Sequence, residues 1–134
     1  MFDRQLRWLT FAFTALAILG LSATDCQADG PKHEEAVIVH FQYGQKDWAP
    51  FFAFEKTLQD AIDKSGVGEY DGNELANSGA DGYLYMYGPD ADALLKFIKP
   101  RLLEARILKE IEVELRYGAA NDPSVRISTI HLTR

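Results

Sequence analysis

The sequence predicts an α+β domain, an antiparallel-rich sheet with two helices on one of its faces. Three stretches carry this reading. "EIEVELRY" alternates Ile111, Val113, Leu115 and Tyr117 with Glu110, Glu112, Glu114 and Arg116, the period of two that marks a half-buried strand. "GYLYMYG" sets Tyr83, Tyr85 and Tyr87 against Leu84 and Met86 in the same way. Phe51, Phe54, Leu58, Ala61 and Ile62 instead recur at offsets of three, four and one, a single stripe of an α-helix.

Taken in order, "AVIVHFQY" at residues 36–43 is the first strand, β-branched and aromatic, with Val37, Val39, Phe41 and Tyr43 on one side. Asp47 is a candidate N-cap for the first helix, and Pro50 is tolerated in its first turn. Ser65 and Gly66 close that helix, the glycine supplying a left-handed C-terminal residue. Residues 67–75 form a weaker second strand, because Gly68, Asp71, Gly72 and Asn73 all have poor strand propensity. The third strand spans residues 82–88. Asp90 then caps a second helix whose buried stripe is Leu95, Ile98, Leu102 and Ala105, and Pro100 inside it predicts a kink or a break near Lys99. Residues 110–117 are the fourth strand, "GAANDPS" is a turn, and residues 125–132 return as the fifth strand.

This order, β-α-β-β-α-β with an extra C-terminal strand, is that of a ferredoxin-like sandwich when both crossovers are right-handed. The expected strand order is 4-1-3-2, with the last strand beside the fourth.

Arg4 and Arg7 precede an apolar run at residues 9–23, and small residues follow it. That is the layout of a signal peptide, with cleavage expected after Ala28. Residues 1–28 are thus read as the signal peptide, 29–35 as a flexible leader and 36–134 as the ferredoxin-like domain. Export to the periplasm or outside the cell follows, with no stable membrane insertion once the leader is removed. Two alternatives are an inner-membrane anchor through residues 9–23 and a lipoprotein attached at Cys26, where Asp25 departs from the usual attachment box. Cys26 is the only cysteine, so the domain forms no internal disulfide and must rest on its core.

The net charge of −6 opposes nucleic-acid binding, and the charges of Asp3, Asp25, Arg4 and Arg7 cancel, so cleavage leaves it unchanged. Charged residues make up 25% and hydrophobic residues 47% of the chain, which places it among globular proteins rather than disordered ones.

With the apolar positions turned to the helices, the other sheet face shows His40, Gln42, Tyr83, Tyr85, Tyr87, Glu112, Glu114 and Arg116. The three tyrosines offer stiff contact area with polar tips, the chemistry favoured at interfaces. They are therefore expected to serve a homodimer or a periplasmic protein partner; cross-strand covering of the sheet is the plainer use. A small-ligand or catalytic site built from His40, Tyr85 and Glu112 is the alternative, with His40 paired to Glu112 or Glu114 as acid and base.

No cofactor or metal is expected. "GVGEYDG" precedes a hairpin and lacks the Lys-Ser/Thr of a phosphate loop. Glu69, Asp71, Asn73, Glu74 and Asp81 lack calcium-loop spacing and read as a solvated acidic hairpin, its glycines permitting bends and a bulge. His33, His40 and His131 show no zinc-ligand spacing.

At "GVGEYDGNE", "GYLYMYGPDADALL" and "ELRYG" the chain resembles a family of small, uncharacterised bacterial domains. The resemblance spans roughly residues 36–130. It implies a stand-alone ferredoxin-like α+β domain and brings no activity or catalytic residues, and an export leader is unusual beside such domains. The function expected is that of an exported, non-enzymatic binding or interaction domain.

Overall fold

The computed structural model describes residues 35–134; the predicted signal peptide, the leader up to residue 34, Cys26 and His33 lie outside the described residues. The chain runs β1 (Glu35–Gln42), α1 (Ala49–Ser65), β2 (Glu69–Leu75), β3 (Asp81–Gly88), α2 (Ala91–Glu104), β4 (Lys109–Arg116) and β5 (Ile127–Leu132). It is an α+β fold in which five strands form one sheet in the order β2-β3-β1-β4-β5, every neighbouring pair antiparallel. β1 is central, bonded to β3 on one side and β4 on the other.

Alternation along the strands sorts the side chains into two faces. Val37, Val39, Phe41, Leu84, Met86, Ile111, Val113 and Leu115 are all buried on one of them. Phe51, Leu58 and Ile62 of α1 and Leu94, Leu95, Ile98 and Leu102 of α2 join the same cluster, so both helices cover this face. Each such side chain contributes roughly 1.5–3 kcal/mol on leaving water. The predicted stripe of α2 omits Leu94, which is fully buried, and includes Ala105, which only packs against the core edge.

The helix ends depart from expectation for stated reasons. The N-cap position of α1 is Trp48, which makes no side-chain cap bond. Asp47, one residue earlier, accepts from the Ala49 amide at 2.9 Å. A capping side chain normally serves the second or third helical amide. Here the carboxylate reaches the amide two residues on, which is the first of the helix, and Pro50 after it has no N–H. Trp48 lies flat on Tyr43, ring centroids 4.3 Å apart, and the Tyr43 hydroxyl donates to the Asp47 carbonyl at 2.7 Å.

α2 passes through Pro100 as one continuous helix, in place of the predicted break. The proline lies near the C-terminal end, and what it removes is the amide bond to the Lys96 carbonyl. The neighbouring Phe97 carbonyl accepts from Arg101 Nη1 at 2.8 Å, and the guanidinium lies over the Phe97 ring. At the other end Asp90 caps as expected, accepting from Ala93 N at 2.9 Å. Glu35 belongs to β1 rather than to a flexible leader, because its carboxylate takes the Ala91 amide at 2.7 Å and so satisfies another free donor of α2. Arg134 closes the C-terminal end, donating to the carbonyls of Leu103, Ala105 and Leu108.

Two bulges adjust the sheet. In β2, Tyr70 pairs with Met86 but Gly72 with Tyr85, leaving Asp71 as the extra residue. Gly72 has φ 141, a conformation open in practice only to glycine. In β4 the register slips between His40 and Gln42, and Glu110 takes φ 45, which removes it from the alternation that put it beside Glu112. β2 starts at Glu69 rather than residue 67. β5 starts at Ile127 rather than residue 125, because Asp122 holds Ser124 and Val125 in a turn.

Candidate functional site, the open face of the sheet

No helix among the described residues covers the second face. Its composition follows from register. One row across the strands reads Glu74, Tyr83, His40, Glu112, His131. The next reads Gly72, Tyr85, Ile38, Glu114, Thr129, and the third Glu69, Tyr87, Ala36, Arg116, Ile127. At the open end Asp81 faces Gln42, which faces Lys109.

All eight residues assigned to this face by sequence lie on it. His40, Tyr85, Tyr87, Glu112, Glu114 and Arg116 are half-buried, and Gln42 and Tyr83 are exposed. Tyr83 stacks on Tyr85 with centroids 6.3 Å apart and meets the His40 ring at a tilt of 30°, 4.6 Å away, so the aromatic ridge extends onto β1. The Tyr85 hydroxyl donates to Glu74 at 3.0 Å; burial first, and then this carboxylate, push its pKa up, so it stays a neutral donor.

The polar pairs differ from the sequence-based expectation. His40 and Glu112 are cross-strand partners in the backbone, but the imidazole Nε2 turns to Asp81 at 3.0 Å. Glu112 is met instead by His131 Nε2 at 3.4 Å, and Glu114 by Arg116 at 3.5 Å. His40, Tyr85 and Glu112 thus bond to three different partners. His40, Tyr85 and Glu112 do not form a proton relay, because the first two bond to Asp81 and Glu74 and the third to His131.

Asp81, Glu74, His131, Ile38 and Ile127 are members of the face that the sequence reading did not name. Asp81 and Glu74 read as turn and hairpin acids. Ile38 lies inside the all-apolar run "AVIV", which hides its outward direction. Ile127 is 53% exposed at the edge, and with Ile38 and the tyrosines it gives the face its apolar content.

The acidic hairpin separates into two uses. Because the bulge at Asp71 shifts the alternation, Tyr70, Asn73 and Leu75 share the helix side, and Tyr70 and Asn73 both donate to the Glu55 carboxylate of α1. Burial and that carboxylate raise the Tyr70 pKa strongly. No group of three or more His, Cys, Asp or Glu side chains among the described residues is arranged to hold a metal ion.

Two described cavities lie in the helix layer. A shallow groove of about 570 Å³ between α1 and α2 is lined by Thr57, Ala61, Lys64, Phe97 and Arg101, and a smaller hollow of about 240 Å³ continues it past Phe54. Neither reaches the tyrosines. Among the described residues no helix is long and apolar enough to cross a membrane.

No family model, curated protein or solved structure matches this chain.

Proposed function

We propose that this chain is an exported, non-enzymatic interaction domain of ferredoxin-like type that binds a protein through the open face of its sheet. The observation that supports this reading is the ridge of Tyr83, Tyr85 and Tyr87 beside Ile38, on a sheet whose helices both pack against the opposite side. Large aromatic surface gains contact area on association, the behaviour of interface anchors, and the Tyr85 hydroxyl is already bonded to Glu74. Export rests on the N-terminal pattern of two arginines, an apolar run and small residues.

The test compares two substitutions that each place a carboxylate on an exposed or half-exposed aromatic. Tyr85→Glu lies at the centre of the ridge. Phe52→Glu lies on α1, where Phe52 is 50% exposed. Light scattering after gel filtration and co-purification of bound protein are expected to show association lost in the first and kept in the second. Association unchanged in Tyr85→Glu, with the fold intact by circular dichroism, removes the proposal.

A further inference from the structure

The two halves of the open face differ in how their carboxylates are met. On β4 and β5, Glu114 lies against Arg116 and Glu112 against His131, so that half is balanced within itself. The other half has no such balance, because β1, β2 and β3 contain no lysine or arginine. Glu74 accepts from the Tyr85 hydroxyl, which orients the carboxylate without cancelling its charge.

Gly72 leaves a notch at this point. It pairs with Tyr85, and the bulge adds the exposed Asp71 beside it. Beyond its neighbours in the chain, no atom lies within 4 Å of where a Cβ on Gly72 would stand. The flank of the Tyr85 ring is therefore open on the side where Glu74 follows two residues further along β2.

The same fold holds a filled counterpart of this arrangement. Tyr117 donates to Asp92 at 2.9 Å, and the Arg126 guanidinium lies over the Tyr117 ring, 3.8 Å from its centroid. Tyr85 and Glu74 repeat the pair, hydroxyl on carboxylate at 3.0 Å, and among the described residues no guanidinium lies over that ring. A planar guanidinium can lie on a tyrosine ring while its N–H fork meets a carboxylate at the ring's polar end, which the compact ammonium of lysine does less well.

Resting on the interaction reading above, we infer that the protein bound at the open face is basic where it crosses β2 and β3, and that one of its arginines lies on Tyr85 with the guanidinium turned to Glu74. The net charge of −6 draws such a partner in at long range.

The experiment uses the full chain and a labelled synthetic peptide that alternates arginine with valine, followed by fluorescence anisotropy. A glutamate–valine peptide of the same length and free arginine are run beside it. Three variants are compared, each checked for folding by circular dichroism: Glu74→Gln, Tyr85→Leu, and Asp63→Asn, which removes the same charge from an exposed position on α1. The arginine peptide is expected to bind and the glutamate peptide not. Glu74→Gln should weaken binding about tenfold and Tyr85→Leu several-fold, with Asp63→Asn unchanged. Equal weakening by Asp63→Asn and Glu74→Gln means attraction to net charge alone and overturns the notch, as does binding indifferent to Tyr85→Leu. Free arginine bound as tightly as the peptide overturns a protein as the source of the cation. No binding of the arginine peptide, in a chain whose co-purified protein is still lost on Tyr85→Glu, overturns the basic partner and leaves the open face standing. Co-purified protein retained by Tyr85→Glu overturns both readings together.

Discussion

Tyr70 donates its hydroxyl to the Glu55 carboxylate, and this bond fastens β2 to α1. Asn73 donates to the same oxygen. Burial disfavours the phenolate, and only the neutral hydroxyl has a proton to donate to the carboxylate, so ionisation of Tyr70 is displaced upward by folding.

The sign of the pH effect follows. A folded-state pKa above the unfolded value gives stability that is complete below the unfolded tyrosine value, near 10, and is lost as pH rises beyond it. Urea midpoints are expected to be insensitive to Tyr70 between pH 7 and pH 9 and to fall above about 10. Tyr70→Phe lowers the unfolding free energy at neutral pH by about 1 kcal/mol, the worth of one hydrogen bond, and makes the alkaline decline shallower. Tyr43, Tyr85 and Tyr117 are displaced in the same direction, so the decline in the variant is reduced and not abolished.

Gly72 is the hinge of the β2 bulge. A Cβ there meets no atom within 4 Å, so any loss on substitution comes from its φ of 141 and not from crowding. Gly72→Ala is expected to cost about 1–3 kcal/mol by chemical denaturation. Amide shifts in the variant should concentrate at Tyr70 and Asn73, whose side chains reach Glu55 only because of the bulge.

The start of α2 has two carboxylate acceptors, Asp90 for Ala93 and Glu35 for Ala91. Asp90→Ala is expected to lower stability by about 1 kcal/mol. Glu35→Gln keeps an acceptor but loses the charge opposite the helix dipole, and should lose less, about 0.3–1 kcal/mol. Thermal melts of the two single variants and the double variant measure whether the caps act independently.

Trp48 stacks on Tyr43 with an interplanar angle of 9° and meets Phe51 edge-on. Tyr43→Leu is expected to shift Trp48 emission to the red as water reaches the indole, and to lower the unfolding free energy by about 1–3 kcal/mol. Tyr43→Phe keeps the stack and loses only the bond to the Asp47 carbonyl, so its emission should change little.

The faces of β3 and β4 were legible because apolar and polar residues alternate there without interruption. β1 was legible only in part. In "AVIV" every residue is apolar, so Ile38 could not be told from its buried neighbours, although cross-strand pairing with Tyr85 and Glu114 shows which way it points. The bulge at Asp71 was signalled by its glycine, whereas the one at Glu110 was not, since a glutamate with positive φ has no sequence mark. The site residues were placed on the right face, but their pairings were not foreseen. Register puts His40 beside Glu112, and the choice of Asp81 instead is made by side-chain torsion and by the turn that brings β3 back at that point. Asp47 shows the same limit: it bonds the amide two residues on, as a cap does, yet the helix takes Trp48 as its cap position.

β1 is the first strand described and the central one, yet both strands that flank it come much later, at Asp81–Gly88 and Lys109–Arg116. During synthesis the run from Ala36 to Phe41 therefore has no partner until most of the chain exists. Contacts of such long sequence separation slow folding, and an unpaired β-branched run is the segment most exposed to pairing with another chain meanwhile. A ribosome stalled between β3 and β4 should hold a chain whose core cannot close, and protease resistance should appear only once Arg116 has left the exit tunnel.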